Sequence, residues 1–227
     1  MATRTYLNED EHRLVSDAVA AAEGHTAGEI VTIVADRSDG YTDIALAWSV
    51  AVSFAAMAVF SAIPAFYLDT IDWLLGLWSH DWTHREILAL VMAVGVLKFL
   101  GMMLLQLIQP LKFFLIPGPT KSARVRDRAI SFFKVAAERR THGRTGILIY
   151  LSMCEHRAEI VADAAIADKV APEVWGKAMA AMLAHIKQGH VGAGMAAAIG
   201  EVGKILAEHL PRADDDQNEL PNRLIEV

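Results

Sequence analysis

From Ile44 to Leu68 the chain runs for 25 residues without an Asp, Glu, Lys, Arg or His. As a helix rising ~1.5 Å per residue, that stretch reaches roughly 37 Å, more than the ~30 Å hydrocarbon core of a bilayer. A second run, Ile87 to Ile108, holds one charge, Lys98, in 22 residues. Its Leu, Met, Val and Phe offset that charge on insertion scales. Helices buried in soluble domains rarely stay uniformly apolar beyond ~14 residues. Both runs are therefore expected to span a membrane, and a 54% hydrophobic content agrees with lipid solvating part of the chain.

Orientation follows from the cations beside the spans, because Lys and Arg resist translocation. Lys112, Lys121, Arg124, Arg126 and Arg128 follow the second run, whereas the connection between the runs offers only Arg85. The C-terminal part is thus expected to stay cytoplasmic, and two spans return the N-terminal part to the same side. The expectation is a multi-pass protein of a bacterial-type inner (plasma) membrane with both termini cytoplasmic. The first span is expected to be an internal anchor, since the residues before it are polar and amphipathic, unlike a cleaved signal. A single cysteine, Cys154, forms no internal disulfide and demands neither redox compartment. The net charge of −6 argues against nucleic acid as a partner.

The flanking segments read as two pieces of one α/β domain. Asn8 is a candidate N-cap, Glu9, Asp10 and Glu11 suit a first helical turn, and Leu14, Val15, Ala18, Val19 and Ala22 recur at helical spacing. The segment from Glu29 to Asp36, E-I-V-T-I-V-A-D, is a strand apolar on both faces. One helix and one strand bury too little to fold alone, so partners are sought beyond the spans. There, Arg124 to Arg140 predicts a basic amphipathic helix, Gly146 to Met153 a second strand and Ala158 to Ala162 a third, paired with the second as an antiparallel hairpin. Strand one, a crossover holding both spans and the basic helix, and strand two make a β-α-β unit with parallel pairing. Two closing helices, about Glu173 to Gln188 and Gly192 to His209, cover the sheet. After Pro211 the chain is acidic and polar and is expected to be mobile.

Both soluble pieces resemble the TPM family, named for a thylakoid acid phosphatase, a photosystem II repair protein and a nematode acetylcholine-receptor modulator. The first block is Leu7 to Asp36, with A-A-E-G-H-T-A-G-E-I-V before the strand. The second is T-G-I-L-I-Y-L-S-M-C-E-H-R-A-E-I-V-A-D from Thr145 to Asp163, followed by Trp175 and by I-K-Q-G-H at Ile186 to His190. The resemblance implies a small three-layer α/β sandwich concerned with assembly, repair or modulation of other membrane proteins. It implies phosphatase activity or calcium binding in some members. The expected organisation is residues 1–43 as the N-terminal part of the domain and 44–110 as a transmembrane helical hairpin with spans at about 44–68 and 87–108. Residues 111–211 complete the domain, and 212–227 form a mobile acidic tail. Such domains commonly follow the third strand with a glycine-rich acidic turn, but Asp163 to Val170 holds no glycine, so the close backbone approach that glycine permits is absent.

Open α/β sheets place ligands at strand ends, which makes Asp36, Asp163 and Asp168 the candidate carboxylates for Ca or Mg, or for acid-base chemistry in a phosphatase or other hydrolase. The competing role is strand-terminal capping, and the hairpin puts Asp36 and Asp163 at opposite ends. His80 and His84 in H-D-W-T-H have the spacing of a zinc-peptidase helix with Asp in place of Glu. The alternative is an interfacial segment, in keeping with Trp48, Trp73, Trp78 and Trp82 as an aromatic belt. Lys98 either snorkels to the surface or meets a partner's carboxylate. Lys121, Arg124, Arg126 and Arg128, with Arg139 and Arg140, suit a lipid surface. Cys154, Glu155 and His156 suggest a nucleophile beside a base, but adjacent hairpin residues point apart. The expected role is an accessory, assembly or scaffold subunit, with the bilayer and another membrane protein or a second copy as partners. The alternative is a divalent-cation-dependent acid-type phosphatase.

Overall fold

The computed structural model describes residues 5–76, 80–136, 145–212 and 220–227. Its elements in chain order are α1 (Glu9–Glu23), β1 (Glu29–Ala35), α2 (Thr42–Ala62), α3 (Pro64–Leu75), α4 (His84–Leu105), α5 (Gln109–Leu115), α6 (Gly118–Ala136), β2 (Gly146–Ser152), β3 (Arg157–Ala162), α7 (Ala164–Ala167), α8 (Gly176–Ile186), α9 (Val191–His209) and β4 (Leu224–Glu226). A short 3-10 turn, Pro172–Trp175, precedes α8. The chain divides into two compact units, one of Met1–Asp39 with Gly118–Val227 and one of Gly40–Pro117.

The first unit is an α/β fold around a mixed four-stranded sheet in the order β3-β2-β1-β4. β1 pairs parallel with β2, from Glu29 opposite Gly146 to Ala35 opposite Ser152, and β2 pairs antiparallel with β3. Every residue of β1 and β2 is buried, which is why neither strand alternates apolar with polar. On one face Ile30, Val34, Ile147 and Ile149 meet Val15 and Val19 of α1, Met182 of α8, and Met195 and Ile199 of α9. On the other face Val31, Ile33, Leu148 and Tyr150 meet Val125, Ala129 and Phe133 of α6, a stripe at spacing four. Helix α1 starts on the predicted Asn8 cap, where Asn8 Oδ1 accepts the Glu11 N–H at 2.9 Å and Glu11 returns a carboxylate to the Asn8 N–H.

The C-terminal segment corrects one expectation. The tail anticipated as mobile over 212–227 ends in β4, which pairs parallel with β1 through Thr32 opposite Leu224 and Val34 opposite Glu226. Leu220 and Leu224 are buried, and apolar burial together with the open edge of β1 outweighs the entropy of ordering three residues. Residues 213–219, which hold the acidic run, lie outside the described residues, as do Arg139 and Arg140.

In the second unit, two helices are long and apolar enough to cross a membrane, Thr42–Ala62 and His84–Leu105. They run antiparallel. Ala45 O accepts from Gln106 Nε2 at 3.0 Å, while Gly95 O accepts from Ser53 Oγ at 2.8 Å. A Cβ on Gly95 would lie 2.6 Å from Met57 Sδ, so glycine permits this approach. The first apolar run is not one helix to Leu68, because Pro64 lacks an N–H and restricts the preceding residue. Ile63 adopts φ −132°, ψ 59°, and α3 restarts after it. The second begins earlier than Ile87, because Thr83 and Glu86 form a capping box, and ends before Ile108, ahead of Pro110 in α5.

Candidate functional site

β1, β2 and β4 are parallel, so Ala35, Ser152 and Glu226 close the same edge of the sheet. Polar side chains gather there in two groups separated by the sheet. On the α6 face, Glu155, 2% exposed, accepts the Ser38 N–H at 2.8 Å through Oε1 and the Ser152 hydroxyl at 2.5 Å through Oε2. Ser38 Oγ donates to Ser152 Oγ at 2.9 Å and lies 3.0 Å from the Tyr150 hydroxyl. Burial pushes the Tyr150 phenol up from its ordinary value, so it stays protonated as a donor. This network anchors the chain leaving β1 to the β2–β3 turn, in which His156 takes φ 51°.

On the opposite face, Asp36 extends β1 and its carboxylate accepts from the Tyr6 hydroxyl. The Cys154 thiol points to the same carboxylate at 3.8 Å. Burial, then the charges of Asp36 and Glu155, raise the thiol above its ordinary value of 9.0, which favours the S–H form and lowers its nucleophilicity. Its partner is a carboxylate rather than the His156 imidazole. Beside it, Glu226 of β4 accepts the Tyr6 N–H at 3.0 Å and the Leu7 N–H at 3.2 Å, and its Oε1 lies 2.8 Å from His12 Nε2. One carboxylate near the end of the chain thus secures the start of α1.

The three expected carboxylates do not meet. β2 fixes the separation, since its Ser152 end adjoins Asp36 whereas Asp163 pairs through its N–H with Gly146 O at the other end. Asp163 caps α7 by accepting the Ala164 N–H at 2.7 Å, and its other oxygen, Oδ2, is buried without a hydrogen-bond partner. Asp168 is exposed at the end of α7. A hard divalent cation needs several convergent oxygens, and among the described residues no group of three or more His, Cys, Asp and Glu is placed to supply them. These aspartates do not fit one calcium or magnesium site. The zinc-helix spacing fails as well, because the capping box makes His84 the first helical residue and leaves His80 outside the helix, 3.6 Å from Glu86.

The basic residues of α6 divide among different tasks. Arg124 Nε lies 3.2 Å from Asp39 Oδ2, Arg128 sits 4.7 Å over the Phe132 ring, Arg126 lies beside β3, and Lys121 is half-buried. Trp48 Nε1 donates to Leu115 O at 3.0 Å, and Trp82 Nε1 to Asp72 Oδ2 at 3.4 Å. Trp73 is 82% exposed, and Trp78 lies outside the described residues. Lys98 is exposed on α4. The polar network missed in the sequence had one visible trace, the spacing Ser152-x-x-Glu155 across the β2–β3 turn.

The chain is similar to the BA42 protein from the psychrophilic bacterium Bizionia argentinensis, solved by NMR, with a TM-score of 0.56 and 19% identity, covering 99% of this chain and 97% of that one. At that identity the likeness speaks for the fold alone. No family model and no curated protein matches the sequence.

Proposed function

We propose that the chain is a TPM-like domain, a three-layer α/β sandwich interrupted by a transmembrane helical hairpin, that serves as an accessory, assembly or scaffold subunit of another membrane protein. Its setting is a bacterial-type inner membrane with both termini cytoplasmic. The observation that carries this reading is the outward side of α2 and α4. Phe54, Leu97 and Leu104 are each about two-thirds exposed, as lipid-facing residues must be, and Lys98 stands among them.

Lys98 follows His84 by 14 residues and precedes Leu105 by 7, so its Cα lies roughly 21 Å and 10 Å from the two helix ends. Side chains of a helix lean toward its N-terminus, away from the nearer end, which makes snorkelling awkward. A charge at the bilayer centre costs about 2.5–3.5 kcal/mol on insertion scales. The acids of the two spans, Asp43 and Glu86, each sit in the first turn of their helix, so a second copy offers no carboxylate at the depth of Lys98. An acid on a different membrane protein meets the need. The rival hydrolase reading depends on Asp36, Asp163 and Asp168, and the fold sets Asp36 at the opposite end of β2 from Asp163.

A photo-crosslinking residue at Leu97, beside Lys98, tests the proposal in native membranes. A discrete adduct with one membrane protein, lost in Lys98→Leu, is the expected result. Adducts with lipid alone, or release of the protein from membranes by alkaline carbonate, would remove the reading.

A further inference from the structure

β3 is the outer strand of the sheet, and its hydrogen-bond phase fixes which backbone groups face outward. The Asp163 N–H donates to Gly146 O at 2.9 Å, making these residues a hydrogen-bonded pair. Antiparallel ladders alternate such pairs, so the register assigns Val161 with Leu148, Glu159 with Tyr150 and Arg157 with Ser152 to the bonded set. Ala158, Ile160 and Ala162 therefore turn their N–H and C=O groups away from β2. The three residues offer an alternating row of donors and acceptors at the spacing of another strand.

A groove of about 520 Å³ runs along that edge. Arg126 and Ile130 of α6 form one wall, and Trp175 and Met179 form the other, with β3 as the floor. Natural edges are commonly blunted by proline, by short length or by a covering element. This strand has no proline and carries charge at Arg157 and Glu159 only, and the groove walls are apolar apart from Arg126.

We infer that the β3 edge is a peptide-binding site, which takes an extended segment of another protein as a fifth strand, with apolar residues set against Trp175 and Met179 and an acidic residue set against Arg126. Backbone pairing supplies affinity and alternate side chains supply selectivity, the logic of strand addition. The walls choose the occupant. A second copy would present the same recessed edge, and two concave edges cannot bring their floors to the ~4.8 Å of a strand pair; a lone extended segment can. Charge sets one position in that segment, since Arg126 makes no ion pair among the described residues, although Glu159 feels its field. This inference is independent of the membrane assignment.

The test uses the full chain in mild detergent and a fluorescein-labelled octapeptide alternating Val with Thr and one central Glu. Ala162→Pro removes an outward N–H while leaving the β2 ladder intact, a position proline tolerates in an outer strand. Met179→Trp fills the groove without touching the strand. Binding with Kd below about 1 mM, weakened about tenfold or more in both variants at an unchanged urea midpoint, is expected. So is slowed hydrogen exchange at Ala158, Ile160 and Ala162 on adding peptide. No binding at about 1 mM, equal binding by the variants, or protection elsewhere overturns the site. Self-association abolished by Ala162→Pro overturns the choice of occupant in favour of a second copy.

Discussion

The joining of α1 to α9 across the intervening apolar segment can be tested at one glycine. A Cβ placed on Gly203 would lie 2.7 Å from Ala22 Cβ and 3.3 Å from Ala22 Cα. Carbon atoms settle at about 3.5–4.0 Å, so Gly203→Ala must part the helices by roughly 1 Å, at an overpacking cost of about 1–3 kcal/mol. Against this, alanine in a helix interior is favoured over glycine by about 1 kcal/mol. The net effect is a loss of about 0–2 kcal/mol in the wild-type chain. With Ala22→Gly already present the Cβ contact is gone, and the remaining 3.3 Å approach needs a few tenths of an ångström. Gly203→Ala then stabilises by up to about 1 kcal/mol, so the substitution changes sign between backgrounds. Pulse proteolysis across a urea series, in mild detergent, reads the four stabilities of this cycle. For a slope of about 2 kcal/mol per molar urea, the expected coupling of about 1–3 kcal/mol separates the midpoints by roughly 0.5–1.5 M. If Gly203→Ala stabilised both backgrounds equally, α1 would not pack on α9 and the split domain would be refuted.

Burial raises the Glu159 carboxyl above 4.5, opposed by Arg126. Its folded form therefore holds the proton more tightly than the unfolded chain, and stability present below 4.5 should be lost as pH rises through the raised value. Glu159→Gln should flatten that part of a urea-midpoint profile against pH. Leu224→Ala should cost about 2–5 kcal/mol by emptying a buried site beside β1, read by the same proteolysis, whereas a mobile C-terminus predicts no change. Maleimide should label Cys154 more slowly than a free thiol at pH 8, and Asp36→Asn should speed it by removing one of the charges that raise the thiol. An unchanged rate in that variant would place the thiol elsewhere.

What was legible beforehand was whatever local pattern decides. Glu29–Ala35 and Gly146–Ser152 are apolar on both faces because helices cover both, and the β2–β3 pairing follows from the four-residue turn between them. Of the missed features, one depends on a partner distant in sequence and others on local signals that were overridden. Leu224–Glu226 is too short to show a period and becomes a strand because β1 offers Thr32, Ile33 and Val34. The two-histidine reading assumed that His80 to His84 was helical, although Thr83-x-x-Glu86 was itself a helix-start signal. The break at Ile63 was likewise written in Pro64, but unbroken hydropathy concealed it. The separation of Asp36 from Asp163 by the length of β2 was, by contrast, already legible in the expected hairpin, because an antiparallel third strand sends the chain back.

The position of the apolar segment follows from the sheet. Parallel strands cannot be joined by a tight turn, so the chain leaving β1 needs a crossover before β2, and α6 supplies the part that covers the sheet through Val125, Ala129 and Phe133. The residues from Gly40 to Pro117 are then free to vary in length, provided their ends return together. Closing a flexible loop of that size would cost roughly 4 kcal/mol by the logarithmic length dependence alone. The second unit meets that cost internally. Gln106 bonds Ala45 O, Lys112 Nζ reaches Gly40 O, and the Tyr41 and Phe113 rings meet edge to face at 5.8 Å. An antiparallel pair of long apolar helices is thus an insertion whose own packing holds its entrance beside its exit. The α/β unit therefore requires of it only that it stay paired, whatever surrounds the helices.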